Sequence, residues 1–97
     1  MSVSLSTHVL DTGRGEPARG VRVELLQGRD VVGSGETNDD GRIAELGAEL
    51  EPGDYRLVFH PPSAFFRRVE LELALDDGHY HVPLLVSPFG CASYRGS

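Results

Sequence analysis

The chain has no lysine, no tryptophan and a single cysteine among its 97 residues, and each shortage closes off a class of function. Without lysine there is neither Schiff-base chemistry nor a Walker-type phosphate loop. The nine basic residues are all arginine and face 15 acidic ones, for a net charge of −6. That balance disfavours nucleic acid and anionic membrane as partners. Cys91 alone can form neither an internal disulfide nor a cysteine-based zinc site, so nothing here demands an oxidising compartment. No apolar run approaches the roughly 18 residues of a membrane span. Met1 to Leu10 lacks the basic and apolar regions of a secretory leader. The expectation is one soluble cytoplasmic domain, residues 1–97, with a modest core.

Glycine and proline are plentiful, at 12 and 6 residues, and they cut the chain into short pieces. Within the pieces apolar residues alternate with period two, as in half-buried strands. Val21, Val23 and Leu25 make one such face; Tyr55, Leu57 and Phe59 a second; Val69, Leu71, Leu73 and Leu75 a third. Asp39-Asp40-Gly41, Glu51-Pro52-Gly53-Asp54 and Asp76-Asp77-Gly78 read as turns, and His60-Pro61-Pro62 must end a strand. The pattern predicts strands at 4–11, 20–27, 30–37, 54–60, 67–75, 79–87 and 91–96, with a stub at 42–45. Ala44 to Leu50 is the one place with weak helical potential. A small antiparallel β-sandwich follows.

Two strands carry polar groups where a plain sandwich would not. Leu5, Thr7 and Val9 share one face of the first strand, and Ser6, His8 and Leu10 the other. In 79–87, Tyr80, Val82, Leu84 and Val86 form the core side, and the opposite face mixes His79, His81, Pro83, Leu85 and Ser87. A face of that composition suits a covered surface better than a solvated one. His79 and His81 have the spacing of a metal pair, but no third ligand supports them. Taken singly, His60 and His79 read as ordinary surface or hydrogen-bonded residues. Ser6, Ser87 and Ser97 offer hydroxyls without a Gly-X-Ser-X-Gly elbow, which argues against a serine triad.

Four strings go further. Leu5-Ser6-Thr7-His8-Val9-Leu10-Asp11-Thr12, Thr37-Asn38-Asp39-Asp40-Gly41-Arg42, His79-Tyr80-His81-Val82-Pro83-Leu84-Leu85-Val86-Ser87-Pro88 and Tyr94-Arg95-Gly96-Ser97 occur in that order. Together they resemble the signatures of the transthyretin-like 5-hydroxyisourate hydrolases. The resemblance implies an all-β, transthyretin-like sandwich of two four-stranded antiparallel sheets. It also implies a homotetramer, a dimer of dimers, with active sites at the dimer–dimer interface. Catalytic residues fall on His8, Arg42, His81 and Ser97, and substrate-binding ones on His8, Arg42, Tyr94 and Ser97. The implied reaction opens 5-hydroxyisourate to 2-oxo-4-hydroxy-4-carboxy-5-ureidoimidazoline in urate degradation, with no metal or organic cofactor and no nucleic-acid or membrane partner.

The chain departs from the family in three places, one of them Arg67, where a proline is usual. His60-Pro61-Pro62-Ser63-Ala64 is too short for the helix that usually follows the fifth strand, so that helix is expected to be reduced or absent. Gly90-Cys91-Ala92-Ser93 stands where Tyr-Ser-Thr is common. Two rival classes are a transthyretin-like carrier without catalysis and a purely structural sandwich. The carrier has Lys and Thr at the positions of His8 and His81, and a bulky Tyr94 suits a shallow purine pocket better than a deep hormone site.

Overall fold

The computed structural model describes residues 2–96. Its ten strands are β1 (Val3–Asp11), β2 (Glu16–Pro17), β3 (Arg22–Gln27), β4 (Asp30–Glu36), β5 (Arg42–Leu50), β6 (Gly53–His60), β7 (Val69–Leu75), β8 (Gly78–His81), β9 (Leu84–Val86) and β10 (Cys91–Ser93). One sheet is antiparallel, in the order β4-β3-β6-β7. The other is built on β1, which meets β5 and then β2 along one side, and β8 and then β9 along the other, with β10 outside β9.

Alternation decides which side of each strand is buried. Val3, Leu5, Thr7 and Val9 of β1 meet Val23 and Leu25 of β3, Tyr55, Leu57 and Phe59 of β6, and Leu84 and Val86 of β9 in one core. Phe59 and Leu57 are wholly buried, so removing either side chain would cost about 2–5 kcal/mol. The polar exceptions inside are satisfied. Thr37 Oγ1 accepts the N–H of Val21 at 2.9 Å and donates to the carbonyl of Ala18 at 2.7 Å. Thr7 Oγ1 donates to the carbonyl of Val82 at 2.6 Å.

Three features differ from the sequence reading. The sheet built on β1 is mixed, because β1 runs parallel to β8 and β9. The expected strand 79–87 is two strands, interrupted at Val82-Pro83; proline has no N–H to give the ladder. Register is unchanged across the gap, so Pro83 lies opposite His8.

The stub at 42–45 is in fact the nine-residue β5. Ala44, Glu45, Leu46 and Ala48 favour helix locally, but pairing with β1 overrides that preference. Two register shifts against β1 and a left-handed Glu49 (φ 54°) absorb the poor fit. Gly33 of β4 permits the strand to pass: a β-carbon there would lie 1.8 Å from the carbonyl oxygen of Leu46.

The described residues contain no helix, as the short 60–65 segment led us to expect. Ser63 instead caps a tight turn, its Oγ accepting the N–H groups of Phe65 and Phe66 at 3.1 and 2.9 Å.

Candidate active site

The outward face of the β1 sheet gathers the sequence-predicted groups by register. His8 of β1 is paired with Arg42 of β5 on one side. Two residues earlier, Ser6 is paired with His81 of β8 on the other side. Since Ser4, Ser6 and His8 alternate with the buried Leu5, Thr7 and Val9, they project away from the core with the two histidines of β8.

Arg42 is placed by the turn before it. Asn38 Oδ1 accepts the N–H groups of Asp40 and Arg42 at 2.9 and 3.0 Å, and the N–H of Gly41 donates to the Asn38 carbonyl at 2.9 Å. Gly41 has a φ of 74°, and a β-carbon on it would come within 2.5 Å of the Val9 carbonyl oxygen. Only glycine fits, for both reasons. The N–H of Val9 donates to the Gly41 carbonyl at 2.7 Å, fastening the turn to β1.

The same turn fixes one imidazole. His8 Nε2 lies 2.8 Å from the carbonyl oxygen of Asp40. A carbonyl can only accept, so this nitrogen carries the hydrogen, and Nδ1 of neutral His8 is the bare one. His81 is held differently, by its Nδ1 at 2.8 Å from Ser6 Oγ. Its backbone joins Gly96, whose N–H donates to the His81 carbonyl at 2.6 Å.

Burial pushes the His81 imidazole below its ordinary pKa, and the charges of Arg42, His8 and His79 push the same way. His81 is therefore neutral around pH 7 and able to accept a proton. A guanidinium on a backbone fixed by its turn and two imidazoles on one face can bind a planar polar ring, move a proton and stabilise an oxyanion.

Not every expected residue joins them. Tyr94 is exposed and lines an open groove between β7 and β10 together with Leu71, Leu73, Tyr80 and Arg95. Tyr80 alternates with His79 and His81, so Tyr94 sits on the Tyr80 side rather than among the imidazoles. Ser97 lies outside the described residues. Among the described residues no group of three or more His, Cys, Asp or Glu side chains forms a metal cluster.

The residue that sequence reasoning passed over is His79. Its ring spans Ser4 Oγ and Ser6 Oγ, at 2.7 and 2.9 Å. The His-X-His spacing placed it beside His81, but only the parallel register shows Ser6 between them.

A model of the HIUase/Transthyretin family matches residues 5–96. 5-Hydroxyisourate hydrolase 2 of Rhizobium meliloti is 42% identical, over 96% of this chain and 95% of its own. The 5-hydroxyisourate hydrolase of Deinococcus radiodurans is also 42% identical, again over 96% of this chain and 95% of its own. Among solved structures, Klebsiella pneumoniae 5-hydroxyisourate hydrolase superposes with a TM-score of 0.90 at 36% identity, covering 98% of this chain and 94% of that one. Transthyretin from Sparus aurata superposes with a TM-score of 0.85 at 25% identity, covering 95% of each chain.

Proposed function

The chain belongs to the HIUase/Transthyretin family, and from that premise we propose that it hydrolyses 5-hydroxyisourate, with His8, Arg42 and His81 as the working groups. The observation that carries the reading is the convergence of these three on one sheet face, opposite the core, in a chain about 40% identical over nearly its whole length to named hydrolases. Water adds to a ring carbonyl, the adjoining C–N bond breaks, and the ring opens. One imidazole takes the proton from water, and the other, in its protonated form, donates toward the leaving nitrogen. Arg42 orients the planar ring through its fork of donors and offsets charge on the developing oxyanion. Ser97 is assigned to the pocket wall; Tyr94, on the Tyr80 side of the sheet, is not.

We further propose that the site is completed in a homotetramer. In a single chain the face holding His8 and His81 is open, and Leu10 and Leu85 beside it are only half-buried. A second copy laid on that face beside His8 would bury both leucines and strip water from His8 and His81, which strengthens every charge interaction there. Among the described residues no helix is long and apolar enough to cross a membrane; residence in the cytoplasm is part of the proposal.

The test is direct. Urate oxidase generates 5-hydroxyisourate in the cuvette, and its ultraviolet decay is followed with and without the protein. Acceleration over the spontaneous rate is expected; equal rates overturn the hydrolase reading.

A further inference from the structure

Four side chains on the outward face of β1 and β8 form one unbroken line that the reading above leaves partly unused. Ser4 Oγ is 2.7 Å from His79 Nδ1, His79 Nε2 is 2.9 Å from Ser6 Oγ, and Ser6 Oγ is 2.8 Å from His81 Nδ1. The line is a product of register, since Ser4 lies opposite His79 and Ser6 opposite His81. Its two imidazoles sit in unlike surroundings. His81 is half-buried over the nearly enclosed Ser6, whereas His79 is exposed.

A hydroxyl has one hydrogen, so Ser6 can donate to only one of its two imidazoles and must accept from the other. In one arrangement His81 Nδ1–H donates to Ser6, Ser6 donates to His79 Nε2, and His79 Nδ1–H donates to Ser4. His81 Nε2 is then a bare base. In the other arrangement every bond is reversed and His81 Nε2 carries the hydrogen. His8 has no such freedom, because its Nε2–H is committed to the Asp40 carbonyl.

We propose that His79, acting through Ser6, keeps His81 in the base form and receives the proton that His81 takes from the attacking water. The proposal rests on the hydrolase reading. As the water oxygen bonds to the ring carbonyl carbon, the C=O pair moves onto oxygen and one water proton joins His81 Nε2. His81 Nδ1 passes its own proton to Ser6 Oγ, and the original Ser6 hydrogen goes to His79 Nε2. His81 ends neutral, Ser6 ends as a hydroxyl and His79 ends as an imidazolium. One positive charge has moved outward and every atom is accounted for.

The direction of transfer follows from surroundings. An imidazolium at His81 would be partly desolvated and would face Arg42 from β5, His8 from β1 and His79 from β8. At exposed His79 the same charge is held by solvent. His79 touches no reacting atom on this account; it is a positioning residue for His81.

Two arms test it. Long-range proton–nitrogen NMR of the histidine-labelled protein reads which ring nitrogen carries hydrogen, without any turnover. The wild type should show His81 with hydrogen on Nδ1; Ser6→Ala should lose that preference, and Ser6→Thr should keep it. The kinetic arm compares His79→Ala with His79→Gln, whose amide oxygen can accept the Ser6 hydrogen but cannot take up a proton. Both variants should lose on the order of 10² in kcat at unchanged KM, the lower end of what acid–base catalysis contributes. A proton inventory in mixed light and heavy water, curved in the wild type, should become linear in both. Wild-type kcat in His79→Gln, or His81 with hydrogen on Nε2 in the wild type, would overturn the proposal. A wild type that fails to speed ring opening overturns the hydrolase reading instead, and the NMR arm still decides whether the Ser6 line sets the tautomer of His81.

Discussion

Gly96 lies against the edge of the His81 ring: a β-carbon at position 96 would stand 2.8 Å from His81 Cδ2. The backbone bond between the two residues leaves the peptide no room to retreat. Gly96→Ala must therefore displace the ring from its present position over Ser6. We expect kcat/KM to fall by on the order of 10², the scale of loss from a misplacement of about 1 Å. The melting temperature should barely move, because neither residue is part of the core. Steady-state kinetics beside a thermal melt checks both halves of the statement.

Removing either imidazole should be severe, and removing an unrelated one should not. His8→Ala and His81→Ala are each expected to lose about 10²–10⁴ in turnover. His60, which pairs with Glu24 on the other sheet, serves as the control. His60→Ala should retain activity. A folded His81→Ala protein with full activity would refute the assignment.

The depressed pKa of His81 gives a pH dependence of definite sign. The folded protein resists protonation at His81, whereas the unfolded chain takes up that proton near the ordinary imidazole value of about 6.5. Below that value the unfolded state binds more protons, so stability falls as pH drops; above it this contribution is flat. Urea midpoints at about pH 7.5 and about pH 5.5, on either side of that value, should differ in this direction. In an NMR titration Arg42→Gln should move His81 part of the way back up, since burial, the larger cause, remains.

Thr37 holds the entrance to the Arg42 turn from inside the protein. Replacing it with valine removes both of its bonds and leaves the Val21 N–H and Ala18 carbonyl without that partner. The cost should be about 1–3 kcal/mol per unsatisfied group. Chemical denaturation should show a lower midpoint at an unchanged slope.

Assembly is tested at Leu85. In one chain its side chain is half-exposed, so an aspartate there costs the isolated subunit little. If a second copy covers it, Leu85→Asp should cost about a few kcal/mol of association, the penalty for an unpaired buried charge. Sedimentation should show a smaller species, with ring-opening activity lost in parallel. A dimer or monomer with wild-type turnover would separate catalysis from assembly.

What the sequence made legible was whatever repeats with period two or sits inside a contiguous motif. β3, β6 and β7 carry clean alternation and fall where it places them. β5 does not: its alanines, glutamates and leucines carry no β signal, and only β1 alongside makes it a strand. The two-residue β2 has no pattern to detect. Within the site, His8, Arg42 and His81 were found through their strings. The role of His79 was not, because the two serines it bonds lie about 75 positions away and no local spacing reveals a parallel register.

That separation has a kinetic meaning. Each hydrogen bond from β1 to His79 or His81 closes a loop of 73 to 75 residues, while the pairings among β3, β4, β6 and β7 span at most the 38 residues from Arg22 to His60. Loop-closure entropy is met before such distant contacts return anything, so the second group can order first; β1 can pair with β5, but its other side must wait for the far end of the chain. Until β8 arrives, the side of β1 away from β5 is an unpaired strand edge, open to pairing with a neighbouring molecule. The strand that organises the chemistry is thus also the one most exposed to misassembly during synthesis.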